Sequence, residues 1–103
     1  MMRKTIDIDA MRVAAATACD LLKGLAKPER LLLLCQLSQG EYCVGDLEEM
    51  LDIRQPTLSQ QLGVLREREL VSTRREGTQV FYSVASPEAL AVLRLLYQLY
   101  CPR

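Results

Sequence analysis

"LDIRQPTLSQQLGVLREREL", residues 51–70, runs straight into "VSTRREGTQVFYSV", residues 71–84, and on this stretch the fold turns. In its first part Leu58, Leu62 and Leu65 recur at four- and three-residue spacing. At about 100° per residue they form one apolar stripe of a helix, and Pro56 suits that helix's first turn. Gln60 and Gly63 then point most directly away from the stripe, with Thr57 and Ser59 on its flanks. After Leu70 the period changes. "LVSTRR" and "TQVFYSV" are rich in β-branched and aromatic residues, and the "EGT" between them carries a glycine suited to a tight reversal. That pattern predicts a β-hairpin.

Upstream, a short third helix is expected from Cys43 through Leu47 and Met50 to Asp52. "KPERLLLLCQLSQG", residues 27–40, predicts a second helix opened by Pro28 and closed at Gly40, its leucine run forming the centre of the core. Met11, Ala15, Ala18, Leu22 and Leu25 mark one stripe of a first helix from Asp9 to Gly24. Downstream, Ser86-Pro87 opens a last helix through Tyr100, apolar at every position from Ala89 onward except Arg94 and Gln98. A helix apolar nearly all round needs cover on several sides, which one small domain does not supply. A second subunit does, with the alanine-rich first helix as the other contributor. The expectation is a mainly α chain with a β-hairpin wing, a winged helix-turn-helix (ααααββα). It forms a single domain over residues 1–103 and a homodimer through its first and last helices.

The composition agrees with a small globular domain. Half of the 103 residues are hydrophobic and a quarter charged, with no proline, glycine-serine or like-charge tract. The densest apolar run, residues 89–100, is broken by Arg94 and Gln98 and too short to span a bilayer. "MMRKTIDIDAMR" has no apolar signal core, so a cytoplasmic protein without membrane partner is expected. Formal net charge is zero but uneven. Residues 1–52 carry six Lys or Arg against nine Asp or Glu, net −3; residues 53–103 carry seven against four, net +3. The second half is therefore the one to meet an anionic partner. Glutamine, serine and threonine on an exposed helix face are base-edge donors and acceptors. Arg66, Arg68, Arg74 and Arg75 stand where phosphates would pass. Double-stranded DNA is the expected partner.

"LAKPERLLLL", "CVGDL", "QPTLSQQLGVLRE" and "TRREGTQVFYSV" together resemble the ArsR/SmtB family of dimeric bacterial repressors over nearly the full chain. The resemblance implies operator binding as a homodimer, with the fourth helix in the major groove, the hairpin as wing, and release on binding an inducer. It makes Gln55, Thr57, Ser59 and Gln60 base-reading candidates, and Arg74 and Arg75 wing contacts. Thr78 stands where many relatives have a basic residue.

The four cysteines, at 19, 35, 43 and 101, contain no "CxxC", and the chain has no histidine. The family's arsenic-type site resembles "ELCVCDL"; here Gly45 takes the place of the second cysteine, and the zinc-type site needs histidines. No metal or cofactor is expected, although a thiol-only metalloid site stays open. Cys35, inside "LLLLCQL", and Cys19 fit buried core positions. Cys43 in "EYCVGDL" and Cys101 in "LYCPR" resemble the sulfide- and persulfide-responsive branch of the family. That likeness implies a redox pair, Cys43 and Cys101, closed as a disulfide or polysulfide bridge when reactive sulfur species release the repressor from DNA. A helix N-terminus favours the Cys43 thiolate, whereas Glu41 and Asp46 oppose it. A general oxidant sensor is the alternative. An enzyme is not expected, since neither a close resolving pair nor a histidine base accompanies a nucleophile.

Overall fold

The computed structural model describes residues 7–101; the first six residues of the N-terminal stretch read above, and the last two of the chain, lie outside them. Along the chain run α1 (Ile8–Leu25), α2 (Pro28–Leu37), β1 (Tyr42–Cys43), α3 (Val44–Leu51), α4 (Thr57–Glu67), β2 (Val71–Glu76), β3 (Gln79–Val84) and α5 (Pro87–Tyr100). The helices begin where local chemistry satisfies their first amides. The Asp7 carboxylate accepts from the amides of Asp9 and Ala10, and Ser86 Oγ accepts from Ala89 N at 3.0 Å. Pro28 and Pro87 occupy first-turn positions of α2 and α5, where a missing N–H costs nothing.

The core is a leucine stack. Leu33, Leu34 and Leu37 from α2 meet Leu47 from α3 and Leu58, Leu62 and Leu65 from α4, with Leu25, Ile53, Leu70, Val71, Ala89 and Leu93 closing its edges. The α4 stripe read from the sequence is the buried one. The hairpin is also where it was expected, turned at Gly77 with φ 64°, a left-handed conformation that two-residue hairpin loops demand.

Two elements depart from expectation. The sheet has three strands in the order β1-β3-β2, all antiparallel, because Tyr42 pairs with Tyr82 and Cys43 with Phe81. The element order is therefore ααβααββα, since a two-residue strand has no period to read and exists only through its partner. Helix α2 stops at Leu37, where the Ser38 amide bonds back to Leu34 O and the Ser38 hydroxyl to Cys35 O, rather than running on to Gly40.

Cys35 and Cys19 are both exposed, not core. A run of four leucines looks uniformly internal, yet at about 100° per residue Leu33, Leu34 and Leu37 fill the inward side of α2. Leu32 and Cys35, three apart, share the opposite side.

Helix α1 stands away from the core. Residues 7–20 are all exposed, and of the expected stripe only Leu25 is buried. Its last turn docks closely, since a Cβ on Gly24 would lie 2.7 Å from the Leu70 side chain. Helix α5 buries Ala89 and Leu93 but leaves Leu95, Tyr97, Leu99 and Tyr100 exposed. The apolar surfaces of α1 and α5 that the sequence assigned to a partner are thus open in the single chain.

Adjacent positions on α2 should separate sharply in denaturant unfolding. Leu33→Ala, fully buried, is expected to lose about 2–5 kcal/mol. Leu32→Ala, half exposed, should lose less than about 1 kcal/mol, and equal losses would contradict the inward face assigned here.

Candidate nucleic-acid interface and thiol site

On α4 the leucine stripe faces inward, so the polar residues are presented outward. Gln55, Thr57, Ser59, Gln60 and Arg66 are all exposed, and the Ser59 hydroxyl donates to Gln55 Oε1. Beside them Gly63 faces open space, with nothing near a Cβ placed there. The structure brings these five predicted residues onto one connected surface running from the turn before α4 to its last turn.

Gln61 behaves differently from its neighbour. It lies three residues after Leu58 and four before Leu65, on the buried stripe, and it is the buried polar side chain of the core at 8% exposure. Its Oε1 accepts from Arg30 Nη1 at 2.9 Å. The same guanidinium donates from Nε to Gly24 O at 2.6 Å and from Nη2 to Lys23 O at 2.9 Å, two carbonyls at the C-terminal end of α1 that otherwise lack a partner. The sequence reading missed both residues; Gln61's place on the stripe was the available signal. Arg68, read as a cation on the phosphate path, is also committed elsewhere: its Nη1 donates to Asp20 O at 2.9 Å and Asp20 Oδ1 at 3.0 Å. Helix α4 is therefore tied to the C-terminal part of α1 twice, from its middle through Gln61 and Arg30 and from its C-cap through Arg68.

The wing carries Arg74 and Arg75 on opposite faces of β2. Among the described residues no ion pair involves Arg75 or Arg66. Arg74 is clasped: Nε and Nη2 donate to Glu41 at 3.0–3.1 Å, and Nη1 to Glu76 Oε2 at 3.1 Å. Its guanidinium also lies 5.0 Å from the Phe81 ring centroid. Hydrogen bonding to Arg74 holds the Glu41 carboxyl below its ordinary range, and the same bond pushes the Arg74 guanidinium up.

The thiols fall in three places. Cys19 is exposed on α1. Cys43 ends β1 and caps α3, half-buried, its Sγ donating to Asp46 Oδ2 at 3.2 Å. Cys35 lines a cavity of about 640 Å³ between α2 and α5, walled by Leu32, Leu93, Arg94 and Tyr97. Cys101 caps the C-terminus of α5 in an extended conformation, its amide bonded to Tyr97 O. Burial pushes the Cys35 thiol up, and the charge of Cys101 pushes it further. The thiol within electrostatic reach of Cys101 is thus Cys35, the one the sequence reading placed in the core. No three His, Cys, Asp or Glu side chains cluster at metal-binding distance among the described residues, and no helix there is long and apolar enough to cross a membrane.

A short helix, a tight turn, a helix with a polar outer face and a hairpin wing define a winged helix-turn-helix DNA-binding protein. Residues 27–73 match the model of the arsR family of bacterial regulatory proteins. The chain is 54% identical to the biofilm growth-associated repressor of Agrobacterium fabrum, over 93% of this chain and 82% of that protein. The crystal structure of the transcriptional repressor BigR from Xylella fastidiosa superposes with a TM-score of 0.85 at 44% identity, over 95% of this chain and all of that one. Reduced HlyU from Vibrio cholerae gives 0.86 at 43% identity, over 90% and 98%. The chain belongs to the ArsR family of transcriptional regulators.

If Cys101 charge contributes to the high Cys35 pKa, Cys101→Ser should lower the apparent pKa of Cys35 alkylation, read by peptide mass spectrometry across a pH series. Burial remains, so the value stays above that of the same cysteine in the denatured chain. A Cys35 profile indifferent to Cys101→Ser would separate the two thiols.

Proposed function

We propose that this chain is a repressor that binds operator DNA as a homodimer and is released by reactive sulfur species through a thiol bridge anchored at Cys101. Gln55, Thr57, Ser59 and Gln60 read base edges in the major groove. Arg66 and Arg75 contact phosphate, whereas Arg74 is held by Glu41 and Glu76 on the other face of the wing. The exposed apolar residues Met11 and Leu22 on α1, and Leu95 and Leu99 on α5, support pairing of two chains along these helices.

The observation that carries the switch is the α2–α5 cavity, with Cys35 on its wall and Cys101 one turn past Tyr97. The chemistry balances without an external oxidant. The Cys101 thiolate takes the sulfane sulfur of a persulfide, expelling the carrier as a thiolate; Cys35, deprotonated, then attacks Sγ of Cys101 and expels the outer sulfur as hydrosulfide, leaving a disulfide. If Cys35 is also persulfidated, attack by the Cys101 persulfide gives a trisulfide and hydrosulfide. Partial burial and the charge of Cys101 push the Cys35 thiol up, which favours Cys101 as the thiol that takes the first sulfur. Either bridge ties α5 to α2 and changes DNA affinity by the difference in its fit to bound and free shapes, typically about 1–3 kcal/mol. The pair Cys43 and Cys101 is the second reading, favoured by the place of Cys43 at the joint between β1 and α3.

Intact mass after parallel persulfide and peroxide treatment of the reduced protein tests the switch. Loss of two hydrogens with or without added sulfur, under persulfide only, is expected for the wild type and for Cys43→Ser, and should vanish in Cys35→Ser and Cys101→Ser. A mass change that persists in Cys35→Ser and vanishes in Cys43→Ser would move the pair to Cys43. Bridging by peroxide alone would make the chain a general oxidant sensor.

Gly63 tests the interface. Replacing a helix-interior glycine by alanine where a Cβ meets nothing should stabilise the protein by about 0.5–1 kcal/mol. If α4 enters the groove, Gly63→Ala should nonetheless weaken operator binding. Raised stability with unchanged affinity would remove this face from the DNA contact.

A further inference from the structure

Arg74 presents an unusual arrangement for a wing cation. All three guanidinium nitrogens donate to carboxylates, the Nε–Nη2 edge to Glu41 and Nη1 to Glu76, and one face stacks on Phe81. A guanidinium fork binds carboxylate and phosphate with the same geometry, so Glu41 fills the edge a DNA phosphate would use. Glu41 is not a wing residue. It precedes β1, 33 positions from Arg74 in the chain, and β1 fixes it there, because Cys43, Phe81 and Arg74 form one row across the three strands. The clasp is exposed, with Arg74 at 47% and Glu41 at 41%, so an incoming phosphate reaches it.

We infer that Glu41 is a specificity-determining residue: it competes with DNA phosphate for Arg74 and holds back the wing's sequence-independent grip. Two carboxylates around one guanidinium leave the site net negative, and a phosphate that displaces Glu41 must also approach Glu76. On random DNA, where no base contact holds the wing close, Arg74 stays with Glu41. The wing then contributes Arg75 alone. Affinity for random sequence is kept low without any change in the residues that read bases. The inference rests on the DNA-binding reading above and fails separately from it.

The test is binding of the reduced full chain to a random-sequence duplex, by fluorescence anisotropy across a potassium chloride series. Arg74→Ala should match the wild type in affinity and salt slope. Glu41→Gln and Glu41→Ala should bind several-fold tighter, with the slope of log K against log salt steeper by about 0.9 for each wing freed. In the Arg74→Ala background the Glu41 substitutions should lose that gain. Circular dichroism melting of each variant checks folding. Weakened random-DNA binding in Arg74→Ala alone would place Arg74 on phosphate already and overturn the inference. So would a Glu41→Gln gain that survives in Arg74→Ala, which would be a general loss of negative charge. A folded wild type that binds no DNA would instead sink the DNA-binding reading itself.

Discussion

Arg30 is the residue through which α1, α2 and α4 are joined. Its guanidinium satisfies two terminal carbonyls of α1 and the buried amide of Gln61 on α4, and it rises from the first turn of α2. A buried amide oxygen left without its donor costs about 1–3 kcal/mol, so the contact fixes orientation as well as supplying energy. Arg68 repeats the tie from the far end of α4 through Asp20. Between these two arginines the leucine stripe packs inward, and the polar face of α4 has one direction left in which to point. The outward set of Gln55, Thr57, Ser59, Gln60 and Arg66 is a consequence of that clamp.

Much of this was legible before any coordinates. Helical spacing set the inward face of α4, the change of period after Leu70 located the hairpin, and the apolar surplus on α5 pointed to missing cover. What escaped depends on partners far away in the chain. Strand β1 is two residues long and is defined by Tyr82 and Phe81, about forty positions downstream. Arg68 and Arg74 read as available cations, because nothing local reveals Asp20, 48 residues away, or Glu41, 33 residues away. Cys35 was recoverable and was missed: composition made "LLLLC" look internal, whereas the angular positions of Leu33, Leu34 and Leu37 already assign it to the other side of the helix.

The thiols illustrate how position governs what a cysteine can do. Cys43, bonded to Asp46 at the joint of sheet and helix, sits within the DNA-reading unit. Cys35 lies between α2 and α5 and Cys101 at the C-terminal end of α5, neither of them on α4. The wing shows the same separation, with Arg75 outside any ion pair among the described residues and Arg74 engaged on the opposite side of the strand.

The two arginine ties make α1 a lever rooted in the recognition helix. At 18 residues it is about 27 Å long, and a tilt of about 5° at its exposed end displaces the other by about 2 Å. In a dimer assembled along α1 and α5, such a tilt leaves each reading head rigid and alters only the separation between the two. That separation must match successive major grooves, about 34 Å apart. In such a dimer a small rotation at the seam would shift that separation without touching either reading head.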